Sequence, residues 1–155
     1  MAGRAMAGLA SWWLIVGVSG SIGCRPANGG SAERGDIAIS HAAVSVSPAG
    51  APAPAFLRMT NSGSAADTLV HVESPDADSV MLHAMVAGRM QPLPSLAVPA
   101  GAQIRLRPGS YHLMMEGVHR TLAVGDTVTL VFRFAAAGAV AVRTPVLRYS
   151  EAVDE

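Results

Sequence analysis

The stretch Gly109-Ser110-Tyr111-His112-Leu113-Met114-Met115 sets one histidine and two methionines inside a run that otherwise reads as an ordinary strand. Successive side chains of a strand point to opposite faces, so Tyr111, Leu113 and Met115 share one side while His112 and Met114 share the other. The same association recurs upstream. In Val80-Met81-Leu82-His83-Ala84-Met85, Val80 and Leu82 face one way and Met81, His83 and Met85 the other. Met90 follows in Ala87-Gly88-Arg89-Met90-Gln91-Pro92, a segment that reads as a loop and offers it no core. Imidazole nitrogen and thioether sulfur are uncharged donors, and the thioether is soft. Together they suit a soft metal ion.

The spacing narrows the chemistry. Six residues separate His83 from Met90, 21 separate Met90 from His112, and one separates His112 from Met114. This pattern resembles the signature of the periplasmic copper chaperone family known as PCuAC, in which a His, a Met and a later His-x-Met ligate Cu(I). The Met-to-His interval and the His-x-Met pair agree; the first interval is shorter than the family's. Further stretches resemble the family as well: Met59-Thr60-Asn61-Ser62-Gly63, Val98-Pro99-Ala100-Gly101, Leu106-Arg107-Pro108-Gly109-Ser110-Tyr111-His112 and Leu122-Ala123-Val124-Gly125-Asp126-Thr127-Val128. The likeness runs from Ile37 to Val146. It implies a cupredoxin-like antiparallel β-sandwich, Cu(I) as the bound ion, and His83, Met90, His112 and Met114 as its ligands. It also implies delivery of copper to a metalloprotein, namely the copper centre of a respiratory cytochrome oxidase.

Ligand chemistry agrees with that implication. Thioethers select Cu(I), whereas zinc sites favour thiolate, histidine and carboxylate. Two His and two Met are all neutral, so bound Cu(I) keeps its single positive charge and leaves more readily than from a thiolate site. Such lability suits a carrier. A blue-copper electron-transfer centre takes two histidines and a cysteine thiolate, and no cysteine follows Cys24.

The elements that must position these side chains are short and extended. Period-two alternation is clearest in Thr127 to Phe134, where Val128, Leu130, Phe132 and Phe134 form one apolar face. Weaker runs are Ile37 to Val46, Ala55 to Thr60, Thr68 to Val72, Ser79 to Val86, Gln103 to Arg107, Ser110 to Met115 and Ala139 to Leu147. Turn clusters such as Ser47-Pro48-Ala49-Gly50, Asn61-Ser62-Gly63-Ser64 and Val124-Gly125-Asp126 separate them. The expectation is an all-β domain of seven or eight short strands over residues 36–148, followed by a solvated acidic tail at 149–155.

The chain's first part differs in kind. Arg4 precedes the apolar run Leu9 to Val18, then small residues, then Cys24. That order reads as an export signal over residues 1–23. The apolar run is about half the roughly 20 residues a spanning helix needs. Cys24 behind Ser21-Ile22-Gly23 resembles a bacterial lipobox, with Ser21 where an aliphatic residue is the rule. As the single cysteine of 155 residues it has no internal disulfide partner, and lipidation accounts for it. Residues 24–35, rich in Gly, Ala, Ser and Pro, read as a flexible tether. The expected location is the periplasmic or envelope side, anchored to a membrane by lipid.

Composition excludes other classes. Eleven basic residues cancel eleven acidic ones, leaving no field to attract nucleic acid. Asp76 and Asp78 lie in a turn-like segment, and no nucleophile elbow, phosphate loop or hydrolytic zinc pattern appears, so no enzymatic activity is expected. His41, His71 and His119 read as surface residues, and Met59, Met81, Met85 and Met115 as packing, with Met81 and Met85 able to assist because they share His83's face. Three functions remain open on the sequence: a Cu(I) carrier with a dedicated acceptor, a copper-buffering or resistance protein, and a structural sandwich that binds no metal.

Overall fold

The computed structural model describes residues 29–154. The expected export signal, Cys24 and the first part of the expected tether lie outside the described residues. Along the described chain run β1 (Gly30–Arg34), β2 (Ile37–Ser45), β3 (Ala53–Asn61), β4 (Asp67–Glu73), β5 (Ala77–Val86), β6 (Arg89–Pro92), β7 (Leu96–Val98), β8 (Gln103–Leu106), β9 (His112–Val118), β10 (Thr127–Phe134), β11 (Gly138–Leu147) and one short helix, α1 (Tyr149–Asp154). All eight expected runs are strands. The architecture is all-β, as the alternation demands.

Hydrogen bonding carries the strands around a closed ring: β2, β11, β10, β4, β5, β9 and β3, with β3 pairing back onto β2. Closure hides edges that would otherwise template association. Every join is antiparallel except β2 to β11, which is parallel through Val146↔Val44 and Leu147↔Ser45. The expected antiparallel sandwich thus carries one parallel join. The β4–β5 join is the weak one, made by the single pair Val72↔Val80.

Inside the ring lie the alternating apolar residues. Val128, Leu130, Phe132 and Phe134 are buried, as are Leu82, Leu113 and Met115. At about 25 cal/mol per Å² of apolar surface, these inward faces supply the driving force for closure. Their partners in alternation, including His83 and Met114, stand on the outer face.

Three strands escape the sequence reading. β1 takes residues 30–34 out of the expected tether and pairs them with β2. Its sequence, GSAER, has no apolar alternation; its backbone bonds and a close approach hold it, since a Cβ at Gly30 would collide with the Arg143 carbonyl. β6 and β7 are four and three residues long, too short for periodicity to register. The acidic tail is also corrected. Residues 149–154 form α1, which buries Ala152 against Ala43 and Phe56 and sets Tyr149 edge-on to Phe56 with ring centres 5.9 Å apart.

Candidate metal centre

The hairpin β5–β6 decides where Met90 goes. Val86 pairs with Arg89, leaving Ala87 and Gly88 as a two-residue turn in which both have positive φ, 49° and 76°. That is the mirror-image turn whose twist matches the strands it joins. Met90 therefore sits on a strand and not in an open loop, paired with Met85, while His83 pairs with Pro92. The six-residue interval is the length a tight hairpin requires to return Met90 to the face that carries His83.

On the other side of β5 lies β9, in antiparallel register. His83 pairs with His112 and Met81 with Met114. Directly opposed side chains have Cβ atoms about 4.5–5.5 Å apart, so the two imidazoles meet. Their ring centres are 5.7 Å apart and their planes 30° from parallel. The Met90 side chain spans β5 and brings its Sδ to 3.4 Å from His112 Nε2. With bonds of about 2.0 Å to nitrogen and 2.3 Å to sulfur at a tetrahedral angle, two donors of one ion stand roughly 3.5 Å apart. Met90 and His112 are already at ligand spacing.

His83 carries a second sign. Its Nδ1 is buried with no hydrogen-bond partner. A buried polar atom left unmatched costs free energy, and a metal ion taking it would remove that cost. Burial pushes the imidazole below its ordinary pKa, and the neighbouring His112 lowers it further, against a smaller upward pull from Glu116. The net lowering favours the neutral form of His83 that a metal requires. His112 is itself buried, with Nδ1 3.3 Å from the Ser110 carbonyl, a contact that orients the ring and turns Nε2 toward Met90.

The structure thus joins three of the four expected ligands, His83, Met90 and His112, by direct contact. Met114 is on the same face two residues along and lines the same hollow as His112, together with Pro54, Phe56, Pro108 and Tyr149. Two cross-strand methionine pairs, Met85↔Met90 and Met81↔Met114, bracket the histidine pair. The donor set combines soft thioethers with imidazoles that accommodate the same ion. Among the described residues no group of three or more His, Cys, Asp or Glu is placed to hold a metal ion.

The other histidines stand apart from this centre. His71 and His119 are exposed beside Glu73 and Asp78. His41, at φ 53°, occupies the bulge in β2 between Ser40 and Ala43. Asp67 is buried and structural: its carboxylate accepts backbone N–H bonds from Thr68, Ala136 and Ala137.

Comparison with known proteins adds the following. A family model described as "LpqE-like: Putative lipoprotein LpqE-like" matches residues 37–146. A protein of Leifsonia xyli subsp. xyli named "Putative lipoprotein Lxx21020" is 32% identical over 121 residues, covering 75% of this chain and 72% of that protein. Among solved structures, the copper-bound PCuAC domain from PmoF2 superposes with a TM-score of 0.67 at 24% identity, covering 76% of this chain and 97% of that domain. The solution structure of Cu(I)-DR1885 from Deinococcus radiodurans gives 0.62 at 24% identity, covering 77% and 81%. The fold is that of these domains. No helix among the described residues is long and apolar enough to cross a membrane.

Proposed function

The chain belongs to the LpqE-like family, and on that premise we propose that it is an extracytoplasmic Cu(I) carrier that binds the ion through His83, Met90, His112 and Met114 and passes it to a copper-accepting protein. The observation that carries this reading is the convergence of His83, His112 and the Met90 sulfur on one outer face, with His112 Nε2 and Met90 Sδ 3.4 Å apart. Cu(I) is the ion that two imidazoles and two thioethers select. By resemblance the acceptor is the copper centre of a cytochrome oxidase.

The test is anaerobic titration with Cu(I) followed by X-ray absorption. One ion per chain with both nitrogen and sulfur in its first shell is the expected result; a first shell without sulfur refutes the ligand set. Transfer to an apo oxidase copper domain then separates delivery from storage. The lipid anchor at Cys24 is part of the same proposal. Mass spectrometry of the native protein should find a mature chain that begins at Cys24 and carries acyl mass; a chain that begins later removes the anchor.

A further inference from the structure

In each methionine pair one member stands well out into solvent, unlike the histidine beneath. His112 is 7% exposed, whereas Met81 is 41% and Met90 52% exposed. The imidazoles form the floor of the site and the thioethers its rim. Met81 is directly opposite Met114 across β5–β9, in the pair next to His83↔His112 and on the same face. Opposed Cβ atoms lie about 4.5–5.5 Å apart, so the two side chains are direct neighbours across the ladder, with Met114 lining the hollow beside His112. Met81 also lines a groove of about 340 Å³ with Val70, Leu82, Pro92 and Leu93, opening beside the hairpin that carries Met90. The core makes no demand for a thioether at this position, which faces outward.

We propose that Met81 is the exchange ligand, the donor through which Cu(I) is taken up and given away. This rests on the Cu(I)-carrier reading above. In the exchange, a copper–sulfur bond to Met81 forms as the bond to Met114 breaks, and an incoming donor then displaces Met81. The ion remains Cu(I) throughout and no electron moves. The histidines hold it until the acceptor's donors have replaced the rim. Neutral thioethers on the solvent side make this order the easy one, because they are the weakest donors and the most accessible.

The full chain labelled with 13C-methyl methionine is titrated with Ag(I), and Cu(I) transfer to bicinchoninate is followed by stopped flow in wild type, Met81→Leu and Met114→Leu. The Met81 methyl signal should shift on loading, while those of buried Met59 and Met115 stay fixed. Met81→Leu should keep equilibrium Cu(I) affinity within about threefold and slow transfer about tenfold, equivalent to ~1.4 kcal/mol in the exchange step. An unmoved Met81 signal with an unchanged transfer rate overturns the proposal. So does an affinity loss in Met81→Leu as deep as in Met114→Leu, because Met81 would then be a resident ligand. If wild type takes up neither ion, the carrier reading itself has failed, and the unshifted methyls of all the methionines show it.

Discussion

Replacing Met90 with Leu removes one sulfur from the site and almost nothing from the fold. Met90 is 52% exposed on a four-residue strand. Full burial of a Met side chain is worth about 1.5–3 kcal/mol, roughly half of that applies here, and Leu recovers most of it. The apo protein should lose less than about 1 kcal/mol. Copper binding should suffer more, because the Met90 sulfur already stands at ligand distance from His112 Nε2. Removing even an outer partner of a metal ligand typically costs 10- to 100-fold in affinity, and a direct ligand should cost at least that, about 1.4–2.7 kcal/mol. Thermal unfolding reads the same loss. At free Cu(I) 100 times the wild-type Kd, the ion stabilises the native state by about 2.7 kcal/mol; a 100-fold weaker variant keeps only about 0.4. Met85, paired with Met90, is the natural substitute. The double variant Met85→Leu/Met90→Leu therefore belongs in the series, with any shortfall in additivity measuring the substitution. Anaerobic competition with a chromophoric Cu(I) chelator gives the affinities. If single and double variants both bind within about threefold of wild type, Met90 is no ligand and the hairpin argument falls.

Cu(I) affinity should decline as pH falls through the histidine range, with the His83 share of that loss coming below about 6.5, since burial and His112 hold the His83 imidazole below that value. For the apo fold the sign is the same: the unfolded chain takes up the His83 proton more readily, so stability is complete above about pH 6.5 and falls as pH drops toward the lowered folded value. An NMR titration of the His83 ring protons checks both, and a midpoint above 6.5 refutes the cause. Asp67→Ala should cost roughly 2–4 kcal/mol in urea unfolding while leaving copper affinity unchanged, because the carboxylate accepts three backbone N–H bonds. Burial alone would raise that carboxyl, but the amides of Ala136, Ala137, Thr68 and Ala135 outweigh it, so this stabilisation is present above about pH 3.8 and lost as pH falls below it. Ala87→Gly should stabilise by about 0.5–1 kcal/mol, because φ of 49° suits glycine and strains alanine. A lower melting temperature in that variant would show that the turn is not under strain.

Much of this was legible along single strands. Alternation alone separates Leu113 and Met115 from His112 and Met114, and the first two do lie in the apolar core. What alternation cannot report is which residue lies across a ladder. Met81 opposite Met114 and Met85 opposite Met90 are facts of register, so both methionines read as packing. The segment 87–92 looked like a loop because Gly and Pro flank it, yet a two-residue turn needs only Ala87 and Gly88 and frees the rest for pairing. The strand at 30–34 and the helix at 149–154 were hidden for a related reason. The strand attaches through backbone bonds and the helix through Ala152 and the Tyr149 ring, neither through a long apolar stripe.

Register also explains why a site can be built on an outer face at all. Slipping β5 against β9 by one residue would turn Val80 and Leu82 outward, so the core forbids it. A slip of two would keep the core satisfied and set His83 against Met114 or Ser110, parting the imidazoles. The far end of the same ladder opposes that slip. Gly117, at φ 63°, lies under the Asp78 side chain, where a Cβ would collide with the carboxylate, and Asp78 reaches on to His119 Nε2 at 3.1 Å. The His119 amide also donates to the Asp76 carbonyl. A two-residue slip would bring a residue with a Cβ under Asp78 and break both bonds. The pairing of His83 with His112 is thus held from two directions, by apolar residues within the ring and by a glycine five positions beyond His112.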